Sequence, residues 1–225
     1  MLAAVAALHC ASAAGGEAQP GAVAYERARH FSGATGMAID ERQALESLQM
    51  SAANGYLPAQ VDLGFAYFNG KGQAPKDLEK SFFWLSKAAA RGSLNAQCML
   101  GDFYRDGLGG VQKSDAQALK WYRLTAASAD RCAPRSQFQL YKAYELGQGV
   151  PKNMGQAMVW LKKSADAGNP VAQAALGRSY LKGHGVGPDE QLGRAWLKKS
   201  REGVAPHDDE DEDAHAPGAS PAHKH

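Results

Sequence analysis

Four tryptophans recur along the chain at nearly equal intervals: Trp84, Trp121, Trp160 and Trp196, separated by 37, 39 and 36 residues, and the chain has no others. Four tyrosines keep step with them, Tyr67, Tyr104, Tyr144 and Tyr180, and a Gly-x-Gly follows each as Gly70/Gly72, Gly107/Gly109, Gly147/Gly149 and Gly183/Gly185. A period of this length commits a chain to an array of stacked units. One unit of this size cannot bury its own apolar face and must lay it on the next.

Within each unit the pattern is that of two helices. In Ala59-Gln60-Val61-Asp62-Leu63-Gly64-Phe65-Ala66-Tyr67 the residues Ala59, Leu63, Ala66 and Tyr67 share one helical face. The Gly-x-Gly that follows supplies the positive φ that ends this first helix, helix A. Seven residues before each tryptophan stands Asp77, Ser114, Asn153 or Asp189, side chains that accept from the free amides at a helix start. Helix B therefore runs through each tryptophan and closes near Gly92, Gly168 and Gly203. Leu63, Leu100, Leu140 and Leu176, with the tyrosines and tryptophans, are the expected core.

Upstream, Asp40, Gln43, Leu48 and Gly55 stand one period before Asp77, Lys80, Leu85 and Gly92, with Ser47 at the tryptophan position. This is a degenerate first unit, its helix A around Ala22 to Phe31, suited to capping the array. The expected organisation is a leader over 1–20 and a solenoid over 22–203. The solenoid comprises the degenerate unit 22–55 and the units 56–92, 93–130, 131–168 and 169–203; a tail over 204–225 follows. The boundary between the second and third full units is three residues longer than the one before it. The insertion lies near Ala129 to Ala133 and carries Cys132.

The motif Ala-Gln-x-x-Leu-Gly-x-x-Tyr-x-x-Gly-x-Gly, followed by a helix bearing Ala-x-x-Trp and ending in Ala-Ala-x-x-Gly, resembles that of the Sel-one-like repeat proteins, a branch of the TPR-like helical solenoids. The resemblance covers about residues 40 to 203. It implies an all-α right-handed superhelix of helix-turn-helix repeats and an adaptor or scaffold role toward a protein or peptide partner. One departure is Tyr141, where the other units have Gly64, Gly101 and Gly177; it implies a local widening. Cysteine-rich relatives carry a disulfide in each repeat, a pattern absent here. Cys98 within helix A and Cys132 in the inserted loop are read as two free thiols, kept apart by axial offset and interhelical distance.

Function belongs on positions that vary between units, on the helix A face opposite the core. These are Phe65 and Phe68, Asp102 and Arg105, Lys142 and Glu145, and Arg178 and Leu181. The two phenylalanines have two readings: anchors for a partner, or packing against the degenerate first unit.

No His-Glu-x-x-His, phosphate loop or nucleophile elbow is present, so no catalytic residue, cofactor or metal site is assigned. Ser179-Tyr180-Leu181-Lys182 is a Ser-x-x-Lys, the basis of an alternative reading as a β-lactamase-like hydrolase. With 14 serines and 14 lysines in 225 residues, about one such match arises by chance, and no Lys-Thr-Gly accompanies it. A second alternative is metal binding through the tail, where His207, His215, His223 and His225 flank six consecutive acidic residues, Asp208 to Asp213.

The net charge of +2 conceals that run: without the tail, 24 basic and 17 acidic residues remain. They are spread through the repeats, which speaks against a nucleic-acid partner. No apolar stretch is long enough to span a bilayer. The run Met1 to Leu8 followed by Ala11-Ser12-Ala13 reads as a signal peptide. Periplasmic or secreted location is therefore expected, with a cytoplasmic location as the alternative.

Overall fold

A computed structural model describes residues 21–33 and 40–202, which form ten α-helices and, among the described residues, no strand. The expected leader and the His-containing acidic tail lie outside the described residues. The helices pair in chain order: α1 (Ala22–Phe31) with α2 (Glu41–Ala53), α3 (Leu57–Asn69) with α4 (Leu78–Ala90), and α5 (Leu94–Asp106) with α6 (Asp115–Ala126). Then α7 (Ala133–Leu146) pairs with α8 (Met154–Asp166), and α9 (Pro170–Lys182) with α10 (Glu190–Glu202). The two helices of each pair pack on one another, and the second helix of each of the first four pairs packs on the first helix of the following pair. The result is an all-α solenoid.

The starts and stops follow from the periodic residues. Asp40, Asp77, Ser114, Asn153 and Asp189 each accept from the backbone amide three residues on, at 2.9 to 3.3 Å, which satisfies one free donor at the start of every helix B. The same residues donate their own amides to the carbonyls of Phe31, Tyr67, Tyr104, Tyr144 and Tyr180. That bond closes each helical hairpin. At the other end of the turn, Gly70, Gly107, Gly147 and Gly183 cap helix A in the left-handed region.

A second repeating bond links the units. The Nε2 of Gln60, Gln97, Gln137 and Gln173 donates to the carbonyl of Ala52, Ala89, Ala126 and Ala165 respectively, at 3.1 to 3.2 Å. Each glutamine thus satisfies a carbonyl left open at the end of the preceding helix B. The Ala-Gln pair of the motif is an inter-unit joint, its alanine packing while its glutamine bonds.

Leu63, Leu100, Leu140 and Leu176 are buried. The tryptophans are not: all four are half-buried, and the full burial expected of them belongs to Leu85, Tyr122 and Leu161, one residue on. The tryptophans seal the joints instead. Trp121 packs on the cluster of Leu85, Met99 and Phe103, and Trp196 on that of Leu161, Ala172 and Leu176. Lysine ammonium groups lie over their outer faces: Lys163 is 4.5 Å from the Trp160 ring centroid and Lys199 is 4.9 Å from Trp196.

Two further expectations are corrected. Cys98 and Cys132 form a disulfide, their Cα atoms 6.5 Å apart. The helix-axis separation overstated the distance, because the three-residue insertion sets Cys132 at the N-cap of α7, directly against the Cys98 side of α5, and Cα atoms within about 7 Å can be bridged. Nor does Tyr141 open a gap. It is buried, its ring lies 5.5 Å from Phe138, its hydroxyl donates to Glu145 at 2.6 Å, and α7 packs on α8 as extensively as the other pairs do.

Candidate interaction surface

The variable helix A positions do not form one open face. They form the seam along which successive first helices meet. Phe68 packs edge-on against Phe103 of the following unit, centroids 5.9 Å apart, so it is a joint residue, and toward the unit after it instead of the degenerate first unit. Asp102, expected at the surface, is 3% exposed. Its carboxylate accepts from Arg105 Nη1 and from the Tyr122 hydroxyl, both at 2.8 Å, and from Arg135 Nη2 of the next unit.

Tyr122 stands where other units have leucine, and Gly101 makes room for it. A Cβ on Gly101 would lie 2.4 Å from the phenol ring. Burial first, and then the neighbouring Asp102 carboxylate, push the Tyr122 phenol well above its usual value. Arg105 also holds Asp106 through two bonds, which keeps the Asp106 carboxyl below the usual carboxylate range. Asp102 therefore joins the second and third full units through Arg135, while Arg105, bonded to Asp102, Asp106 and Tyr122, is engaged within its own unit.

Lys142 is half-buried on α7. Glu145 accepts from Tyr141 and stands 3.6 Å from His184 Nε2 in the turn of the next unit. Arg178 and Leu181 are exposed, because no described helix follows α9 and α10 on that side. Of the eight variable positions, Asp102 is buried, five are half-buried, and Arg178 and Leu181 of the last unit are exposed.

Phe65 is different again. It packs on the core of the following unit and also lines a cavity of about 550 Å³ between α1, α2, α3 and the turn after α3. The cavity floor is apolar, with Ala28, Ala44, Leu45, Leu48 and Ala66; the rim carries Arg29, Glu41, Asp62 and Lys71. Tyr25 donates to Asp62 at 2.6 Å and Gln73 to Glu41 at 3.2 Å. Those bonds tie the first unit to α3 and its turn on either side of the opening. Burial, and then the bond to Asp62, raise the Tyr25 phenol above its usual value. An apolar pocket with a few oriented polar groups suits a side chain or small ligand. Sequence reasoning found Phe65 but not the remaining lining, since the first unit departs from the periodic pattern that located everything else.

Ser179 of the Ser-x-x-Lys is 6% exposed, at the core-facing position held elsewhere by Ala66, Phe103 and Ala143. Its side chain is packed in the α9 core and does not open onto a cleft. Among the described residues no cluster of three or more His, Cys, Asp or Glu is placed to hold a metal ion, and no helix is long and apolar enough to cross a membrane.

The model of the Sel1 repeat matches residues 57–93, 94–130, 134–169 and 170–203, one match for each pair from α3/α4 to α9/α10. No curated protein sequence matches the chain. Among solved structures, a Sel1 repeat protein from Oxalobacter formigenes is 28% identical, with a TM-score of 0.71 over 82% of this chain and 73% of that one. A protective antigen present in uropathogenic Escherichia coli strains, with an SLR fold, is 31% identical with a TM-score of 0.72; the match covers 82% of this chain but only 38% of the antigen. An immunity protein from Pseudomonas aeruginosa, 18% identical with a TM-score of 0.50 over 81% and 68% of the two chains, shares the fold.

Proposed function

We propose, from the premise that the chain belongs to the Sel1 repeat family, that it is a non-enzymatic adaptor holding a protein or peptide partner on its helix A side. The observation that carries the reading is the cavity beside Phe65, open between the first unit and α3 and floored by aliphatic side chains. Its partner would insert one apolar side chain there and meet the mixed charges of Arg29, Glu41, Asp62 and Lys71 at the rim. Anchors seated in such pockets dominate the energetics of peptide recognition. This keeps Phe65 of the expected contact residues and leaves Phe68, Asp102 and Arg105 to structural work.

The same reading places the protein in the periplasm or outside the cell. Its supports are the apolar N-terminal run with Ala11-Ser12-Ala13 and the Cys98–Cys132 disulfide, a bond that persists in oxidising compartments.

The test is selection of displayed peptides on the immobilised full chain, followed by calorimetry of the selected peptides. Ala44→Trp, which fills the cavity, is expected to weaken binding by about tenfold or more, near 1.4 kcal/mol. Val159→Ser on the exposed side of α8 should leave affinity unchanged. Peptides indifferent to Ala44→Trp and displaced by changes on α8 would remove the cavity from the reading.

A further inference from the structure

The last unit differs from the others at the positions where each unit meets its successor. Two residues before the tryptophan stand Phe82, Leu119 and Met158, and five after it Ala89, Ala126 and Ala165. These residues pack into the inter-unit core. The turn of the following unit also rests on this side, since a Cβ on Gly149 would lie 3.0 Å from Leu119 and one on Gly185 2.8 Å from Met158. In α10 the equivalent residues are Arg194 and Arg201, both exposed. On α9, Arg178 and Lys182 are exposed at the same end.

This end of the solenoid is therefore a basic surface where the interior joints are apolar. Among the described residues Arg194 pairs with Glu190 alone, one turn away on its own helix, and its side chain remains 75% exposed. Surface pairs of that kind contribute little. Neither Arg178 nor Arg201 has a salt-bridge partner among the described residues. The remaining acidic group on α10 is Glu202, which faces Lys198 at 3.7 Å. Leu181, at the position where Phe68 packs on the following unit, adds exposed apolar area at 40%.

We infer that the occupant of this end is the chain's own acidic run, Asp208 to Asp213, folding back onto Arg201, Arg194 and Arg178. Three arguments select it over a second copy or a further repeat. The run begins six residues after the end of α10, so a strand of chain reaching about 20 Å brings it back over the helix it has just left. Arg201 and Arg194 are seven residues apart on that helix, about 10 Å along its axis, and Arg178 lies on α9 beside it, so six extended residues cover all three. The signs match, whereas end-to-end pairing of two copies would set arginines against arginines and a further unit would find no apolar joint to rest on. This inference concerns the opposite end of the molecule from the cavity and stands independently of the partner reading.

The experiment uses the full chain in a Cys10→Ser background with a spin label at Ala214→Cys, read as paramagnetic broadening of backbone amides. The expected result at 50 mM salt is a roughly twofold or greater loss of amide intensity over 171–182 and 194–201, recovering at 1 M salt where the screening length is about 3 Å. Arg178→Glu, Arg194→Glu and Arg201→Glu together should abolish it, and replacing the six acidic residues by lysine in that variant should restore it. Broadening that spares this end overturns the inference. So does broadening that appears only between a labelled copy and an isotope-enriched unlabelled copy, which would make the contact one between molecules.

Discussion

At the scale of single residues, the cluster around Asp102 shows how one repeat departs from its siblings without leaving the fold. Leucine at position 122 would fill the space, as Leu85 and Leu161 do; tyrosine fills it and also reaches a carboxylate shared with two arginines. Removing the hydroxyl with Tyr122→Phe should cost about 1.5 kcal/mol, the lower range for hydrogen bonds to charged groups, measured by urea denaturation at pH 7. The pH dependence has a definite sign. Burial and Asp102 raise the folded-state value of Tyr122, while the unfolded chain releases its phenol protons near the ordinary value of about 10. Above that pH the unfolded state binds fewer protons, so stability falls as pH rises through it and is unaffected below. The urea midpoint should therefore drop between pH 9 and pH 11, and less steeply in Tyr122→Phe; part of the slope remains from Tyr25 and Tyr141, raised in the same direction by burial and their carboxylate partners. Equal slopes in the two proteins would remove Tyr122 from the account.

At the scale of elements, the joints between helices matter more than the helices themselves. Gln97 is mostly buried, with Nε2 bonded to the Ala89 carbonyl and Oε1 without a partner. Gln97→Met keeps the volume but orphans the carbonyl, a loss of about 1 to 3 kcal/mol by the cost of an unsatisfied buried acceptor, readable as a lower melting temperature. The disulfide is a stronger joint. It closes 34 residues, and the chain-entropy relation assigns such a loop about 4 kcal/mol. Reduction should lower stability by that order. Before reduction, thiol titration of the denatured chain should detect Cys10 alone.

These joints also mark what sequence could and could not reveal. The caps, the Gly-x-Gly stops, the core leucines and the units from α3 to α10 were legible because each is dictated by local chemistry repeated four times. The disulfide was missed because three inserted residues redirect one helix start, an effect that helix-axis distances do not carry. The seam positions were misjudged for a related reason. Variation between units does not by itself mean exposure: Phe68 and Asp102 vary because each meets a particular residue of the following unit, Phe103 and Arg135.

At the scale of the whole molecule, a solenoid holds together through nearest-neighbour contacts, so its stability need not be uniform along its length. The two ends and the middle are built differently. Between the second and third full units lie the disulfide and the Asp102 network; between the first unit and α3 lies a cavity, and α1 buries only Ala28, α2 only Ser47, Ser51 and Ala52. Small buried residues supply little apolar area, and each aliphatic side chain withheld from the core forgoes about 1.5 to 3 kcal/mol. The α1/α2 pair should therefore open first. Native-state hydrogen exchange at low denaturant is expected to show amides of α2 exchanging with an opening free energy below that of α5 and α7 by about 2 to 4 kcal/mol, of the order of the disulfide's contribution. Reducing the disulfide should then lower protection in α5 and α7 while leaving α2 nearly unchanged, because the joint it removes is two units away. If instead all helices lose protection together, before and after reduction, the chain is one cooperative unit, and the weaker joint beside the cavity would have no thermodynamic counterpart.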